Sequence, residues 1–188
     1  MQILELRGAI YDQFHHSSAG SAFFFLPENA DAYAAYYTAM YLLQDTAESV
    51  QQHMEREFAS DPWAAYLEFW GVMQAINIQQ DAITEMHRAV TGQQCNIAPD
   101  SAWKALRNLR HLCAGHPASR RHGLPAPQRT FMRRGFGSYA RIQYELWDAS
   151  TGNITHPVFD LRALIGKYDL EASAILTGVL STMRTDWP

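Results

Sequence analysis

Two long apolar stripes separated by one stop signal constrain this chain more than any other feature. Tyr33, Tyr36, Tyr37, Met40, Leu43, Ala47, Val50, Met54 and Phe58 recur every three to four residues, with no Gly or Pro between them. That spacing lines one face of a helix. Ser60-Asp61-Pro62 then interrupts the pattern, with Asp61 placed to cap a new helix and Pro62 suited to its first position. A second stripe of Trp63, Leu67, Trp70, Met73, Ile76, Ile83, Met86 and Val90 runs toward Gly92, widened by Tyr66, Phe69, Val72 and Ile78. The spacing predicts helices over 31–58 and 62–91, and two such helices with a short connection pack side by side in a bundle. The breadth of the second stripe fits burial on two sides, against the core and against a second subunit.

The flanking segments extend this reading. Residues 5–14 read as a short helix and the small residues 17–21 as a loop. Ala98-Pro99-Asp100-Ser101 opens a third long helix with Trp103, Leu106, Leu109, Leu112 and Cys113 inward, ended by Gly115 and Pro117. After the extended connector Leu124-Pro125-Ala126-Pro127, residues 129–133 and 139–147 flank a Gly-bearing turn. The second of these alternates Tyr139, Arg141, Gln143, Glu145, Trp147 against Ala140, Ile142, Tyr144, Leu146, a period of two that predicts a β-hairpin. Residues 149–153 form a further turn, and Asp160 caps a last helix running past Met183. The fold expected is mainly α: an up-and-down helical bundle, one domain over 1–188, with a β-hairpin at about 125–150 inserted before the last helix.

Composition sets the outer limits. Of 188 residues, 47% are hydrophobic and 18% charged, which excludes a disordered chain. No apolar run approaches the roughly 20 residues of a membrane span, and the start of the chain lacks a basic, apolar leader. A soluble, cytoplasmic protein with no membrane association is expected. Cys95 and Cys113 cannot build a disulfide framework and read as free thiols.

The net charge of −4 hides a segregation. Residues 101–141 hold Lys104, Arg107, Arg110, Arg120, Arg121, Arg129, Arg133, Arg134 and Arg141, and no Asp or Glu. The remainder, with six basic and all 19 acidic residues, balances at −13. Eight of the nine are arginine, whose fork matches phosphate oxygens. Such a segment either contacts RNA or another phosphate-bearing ligand, or neutralises acidic helices of the same molecule or of a partner.

The densest chemistry lies where the third helix ends, Arg107-Asn108-Leu109-Arg110-His111-Leu112-Cys113-Ala114-Gly115-His116-Pro117. On an unbroken helix Arg110 and His116 stand about 120° apart. A glycine at 115 can leave the helical conformation, and Pro117 biases His116 toward an extended one. A guanidinium and an imidazole brought together in this way suit RNA cleavage by the adjacent 2′-hydroxyl, which needs a cation on the phosphate and a group passing protons near neutral pH. The alternative is that Gly-His-Pro only terminates the helix, with His116 at the negative end of its dipole. Asp81, in the polar patch Asn77-Ile78-Gln79-Gln80-Asp81, either orients the arginines of the third helix or faces solvent. His15, His16, His53, His87, His122 and His156 lack ligand spacing, so no metal site and no cofactor are expected. The Phe23, Phe24, Phe25, Tyr33, Tyr36, Tyr37 cluster is open to two readings, base stacking or core.

Arg110-His111-x4-His116 followed by Pro117 resembles the Arg-x4-6-His motif of the HEPN superfamily, in which a polar residue often follows the arginine. A bacterial HEPN-like group is similar over about residues 60–185. It has a helix like Tyr66…Gly71-Val72-Met73-Gln74-Ala75…Gln79-Gln80-Asp81-Ala82, an element like residues 106–117, a hairpin and a final helix. The resemblance implies a four-helix core that dimerises so that two motif helices face one composite cleft, and often a metal-independent endoribonuclease of toxin or defence type. Carried over, Arg110 engages the scissile phosphate, His116 acts as acid or base and His111 orients or assists. Arg107, Arg120, Arg121, Arg133 and Arg134 of the basic segment are the candidate substrate contacts. Implied partners are a second copy, RNA and an antitoxin or other protein. Some toxins of the superfamily carry a modifiable tyrosine two residues after the histidine; Ala118 stands there in this chain. Other members are non-catalytic interaction or nucleotide-binding modules.

Overall fold

The computed structural model describes residues 1–115, 117 and 128–187. Six α-helices carry most of the chain: α1 (Gln2–His16), α2 (Ser18–Phe24), α3 (Ala30–Arg56), α4 (Pro62–Thr91), α5 (Ala102–Arg110) and α6 (Leu161–Asp186). The start and stop signals act as expected. Asp61 accepts the Ala64 N–H at 2.9 Å ahead of α4, and Gly92 ends it in the left-handed conformation at φ 68°. Ser101 accepts the Lys104 N–H at 3.2 Å, and Asp160 the Ala163 N–H at 2.8 Å. Each bond satisfies an amide that a helix terminus leaves unpaired.

Helices α1, α3, α4 and α6 touch in a closed ring, α1 on α3, α3 on α4, α4 on α6 and α6 on α1, and α5 lies against α4 and α6. The mainly α bundle is therefore as the periodicity requires. Its core is drawn from Ile3, Ile10, Leu43, Phe69, Met73, Ile83, Trp103, Leu106, Ile165, Tyr168 and Leu176. Two carboxylates of α6 tie neighbouring helices to it. Asp169 accepts the Gln2 and Ile3 amides at 2.9 and 3.2 Å, and Glu171 accepts those of Ala102 and Trp103, both at 2.8 Å. Helix starts favour negative charge, so these contacts pin α1 and α5 by charge as well as by hydrogen bonding.

Three expectations need correction. Residues 17–21 are not a loop: Ser17 alone breaks the helix, accepts the Gly20 N–H at 3.1 Å and starts α2. Gly20 has no Cβ where one would meet the Trp187 ring at 3.1 Å. Second, Trp63, Leu67 and Trp70 of the expected inner stripe of α4 are 59%, 65% and 37% exposed. The rest of that stripe, Met73, Ile76, Ile83, Met86 and Val90, is buried, with Ala65, Phe69 and Val72 beside it. Gln79 and Gln80 of the polar patch are buried too, Gln79 donating to Thr46 Oγ1 at 3.4 Å and Gln80 to the Trp103 carbonyl at 2.9 Å.

Third, the insertion is larger than a hairpin. Strands β1 (Gln128–Phe131), β4 (Glu145–Asp148) and β5 (Asn153–Thr155) form one antiparallel sheet in the order β1-β4-β5. A second contains β2 (Gly137–Ser138), β3 (Arg141–Gln143) and β6 (Val158–Phe159) in the order β2-β3-β6. Phe131 faces Glu145 across the first sheet, and Ile142 faces Phe159 across the second. The continuous strand expected over 139–147 is broken twice. Tyr139 is drawn fully into the core, stacked on Phe58 at 4.5 Å, so the chain turns there. At Tyr144 the chain leaves one sheet for the other. Gly137, at φ 124°, permits the β2–β3 turn, since a Cβ would overlap the Arg141 carbonyl oxygen. No helix among the described residues is long and apolar enough to cross a membrane.

Candidate functional site

α5 does not stop at Arg110 but widens into one π-helical turn, His111–Gly115. Such turns bond i to i+5, which lays Gly115 against Arg110. A Cβ on Gly115 would lie 2.9 Å from Arg110 Nη1, 3.3 Å from Cζ and 3.3 Å from the Arg110 carbonyl oxygen. Gly115 thus contributes by lacking a side chain. It does not adopt a positive φ, and the expectation that it swings out of the helix is corrected.

The carbonyls at this helix end find partners from elsewhere in the fold. Trp70 Nε1 donates to the Cys113 carbonyl at 3.2 Å, Thr130 Oγ1 to the Leu112 carbonyl, and the Thr130 N–H to the Pro117 carbonyl at 3.1 Å. Two of the carbonyls that the helix C-terminus exposes, those of Leu112 and Cys113, are therefore satisfied by β1 and α4. Cys113 is buried here, and burial pushes its thiol up to about 12. It is a packed thiol, with almost no thiolate at neutral pH.

Arg110 is held from α4. Its Nε and Nη2 donate to Gln74 Oε1 at 3.3 and 3.0 Å, and no carboxylate pairs with it among the described residues. One turn earlier, Arg107 pairs with Asp81, whose other oxygen accepts from Asn77 Nδ2 at 3.2 Å. Asp81 therefore orients an arginine of this helix, though Arg107 and not Arg110. The pair is half-exposed, worth roughly 0–1 kcal/mol, and acts on position more than on stability. His111 opens the π turn and is half-buried. His116, Arg120 and Arg121 lie outside the described residues.

The remaining arginines are partly engaged. Arg134 stacks over the Trp63 ring at 3.7 Å, and Arg133 lies 3.9 Å from Glu145, a carboxylate that His156 also approaches at 3.3 Å. The Trp147 indole N–H bonds Glu145 as well and holds its carboxyl below the usual range, opposed by desolvation and aided by His156 and Arg133. Arg134 stands at the start of the exposed α4 ridge, Trp63, Leu67 and Trp70, which leads to Gln74 and Arg110. The structure so brings Arg107, Arg110, Asp81 and, through Trp63, Arg134 to the outer side of α4. It leaves Arg133 on the sheet with Glu145.

Sequence reasoning placed Trp70 only in an apolar stripe and assigned no site role to Gln74, Trp70 or Thr130. Gln74 carried the one usable signal, being a polar residue four positions after Trp70 on the same face. Thr130 carried none, since its contact depends on β1 returning to the helix end. No cluster of three or more His, Cys, Asp or Glu side chains able to hold a metal occurs among the described residues. Comparison with known protein families, curated proteins and solved structures finds no match to this chain.

Proposed function

We propose that this chain is a HEPN-like RNA-binding protein that works as a homodimer and cleaves RNA without a metal. The observation that carries the reading is Arg110: a guanidinium steered by the neutral Gln74 amide and laid against Gly115, with no carboxylate neutralising it among the described residues. A cation positioned by neutral groups keeps its full charge for a phosphate. In the reaction the 2′-oxygen bonds to phosphorus and the bond to the 5′-oxygen breaks. One proton leaves the 2′-hydroxyl and one reaches the departing oxygen. Arg110 would offset charge on the phosphoryl oxygens, and His116, assisted by His111, would pass the protons. The exposed Trp63, Leu67 and Trp70 beside Arg110 supply the apolar area for a second copy, so that two Arg110 side chains would line one cleft. Arg107, Arg134 and the segment bearing Arg120 and Arg121 would guide the strand, with Arg133 at its edge.

The test is RNA degradation by purified protein in excess chelator, against Arg110→Ala and His116→Ala variants of unchanged helicity. Cleavage lost in both supports the reading, and full activity in either removes that residue from it. Binding should weaken steeply with salt, because each neutralised phosphate releases counterions.

A second reading is favoured by the same ridge. Arg107 and Arg133 have acidic neighbours and Arg134 an aromatic one, so the face also suits docking of another protein, such as an antitoxin, through Trp63 and Leu67. In that case Leu67→Glu abolishes a protein complex and no chelator-resistant cleavage is found.

A further inference from the structure

On another side of the bundle, α1 and α3 enclose a cavity of about 150 Å³ lined by Arg7, Tyr11, Phe14, His15, Tyr36 and Met40, with Tyr33, Tyr37 and Tyr41 on its α3 wall. Its floor is largely apolar: Phe14, Tyr36 and Met40 are buried, and the Phe14 and Tyr36 rings lie 5.2 Å apart. Its mouth is aromatic. Tyr11, Tyr37 and Tyr41 are about half-exposed, with Tyr37 donating to the Tyr41 hydroxyl at 3.3 Å and the two rings 5.0 Å apart. An apolar cavity of roughly this volume takes one benzene ring, and rings at edge and face distances favour an aromatic guest.

Charge narrows the guest further. The lining includes a guanidinium and an imidazole and no carboxylate. Arg7 is half-buried and spends Nε on the Met40 carbonyl at 3.1 Å, with its Cζ 5.2 Å from the centre of the Tyr11 ring. No carboxylate pairs with it among the described residues, and its two terminal nitrogens make no hydrogen bond there. The Tyr36 hydroxyl is buried and also lacks a partner among the described residues. An unneutralised guanidinium and an orphaned hydroxyl at an aromatic cavity are two unmet needs, and a ring bearing a carboxylate meets both. A polyanion is disfavoured because the chain outside 101–141 carries a balance of −13; a guest with one negative charge avoids most of that repulsion.

We propose that this α1–α3 cavity is a binding site for a small single-ring aromatic carboxylate, its ring held among Tyr11, Phe14, Tyr36 and Tyr37 and its carboxylate on the Arg7 terminal nitrogens. The site is separate from Arg110 and stands whether or not the chain cleaves RNA.

The probe is benzoate, titrated against the full chain by heteronuclear NMR and calorimetry, with benzyl alcohol and phenyltrimethylammonium as neutral and cationic counterparts. One benzoate should saturate each chain, shift α1 and α3 amides and bind at least about tenfold more tightly than benzyl alcohol, the worth of one charge-assisted contact. Arg7→Gln should abolish that preference, and Tyr37→Ala, at the exposed mouth, should weaken benzoate severalfold while keeping Arg7. Lys167→Gln, an exposed change on α6, should leave benzoate binding unchanged. Absence of saturation, equal binding of benzyl alcohol, tighter binding of the ammonium compound, or an Arg7→Gln variant that binds normally would each overturn the proposal. If Arg7→Gln fails to fold, the benzoate against benzyl alcohol ratio and Tyr37→Ala still decide it.

Discussion

Replacing Gly115 with alanine tests the geometry of the Arg110 site more sharply than removing Arg110 itself. The added methyl would stand 2.9 Å from Nη1, closer than side chains approach one another, and 3.3 Å from both Cζ and the Arg110 carbonyl oxygen. The nearest obstacle is the far end of a flexible side chain, so the guanidinium gives way first and leaves Gln74. Loss of its two half-exposed hydrogen bonds costs about 0.5–1.5 kcal/mol each at most. Alanine in a helical position returns about 0.5–1 kcal/mol relative to glycine. The net is a loss of about 0–2.5 kcal/mol, so for a chain of 188 residues the melting temperature should fall by no more than about 10 °C. The Arg110 Nε–H resonance, by contrast, should lose its protection from exchange, and under the proposed function RNA binding and cleavage should fall at least about tenfold. Circular dichroism melts, Arg side-chain NMR and the chelator-resistant assay read the three quantities. A Gly115→Ala protein that keeps a protected Arg110 Nε–H would refute the claim that the bare glycine seats the guanidinium. A large drop in melting temperature would show that rigid backbone meets the methyl.

Three further outcomes follow from the packing. Burial foremost, with Arg56 adding repulsion and Glu68 opposing, holds the His53 imidazole below its ordinary value of 6.5, so folding favours the neutral ring. Its contribution is complete above that pH and is lost as pH falls through 6.5 toward the folded value. Wild type should therefore lose more stability than His53→Gln between pH 7.5 and 5, and parallel melting curves would contradict this. Cys113, pushed up by burial and sealed under α4, should resist a thiol reagent at pH 8 until the chain unfolds; mass mapping of the modified thiols checks it. Trp103 packs edge-on to Tyr168 at 5.4 Å in a fully buried position, and Trp103→Ala should cost about 3–5 kcal/mol. That lowers the melting temperature by roughly 10 °C or more, and a loss under about 1 kcal/mol in denaturant titration would show that the site collapses around the cavity.

The exposed ridge of α4 shows how periodicity can mislead. Trp63, Leu67 and Trp70 obey helical spacing as well as Phe69 and Met73 do, yet they line a different face. Position in a stripe says that apolar residues share a side; it does not say which side meets the other helices when the stripe wraps most of the cylinder. The small-residue run at 17–21 misled for the opposite reason. Its composition favours a loop in isolation, and the docking of Trp187 on Gly20 makes it a helix.

The sequence by itself determined the long helices α3, α4 and α6 and the start of α5, because apolar spacing, Asp61-Pro62, Ser101 and Asp160 act within one turn of the residues they govern. It determined the bundle for the same reason, since two such stripes can be buried only against each other and their neighbours. It also marked Arg110 as the residue to examine, through charge segregation and motif. Tertiary structure decided the rest. Gln74, Trp70 and Thr130 reach the end of α5 from α4 and β1, Asp169 and Glu171 cap helices far from them in the chain, and Tyr139 splits a strand by seeking the Phe58 ring. Local propensity acts over a few residues, whereas these contacts join residues 18 to 166 positions apart, and only the packed core brings them together.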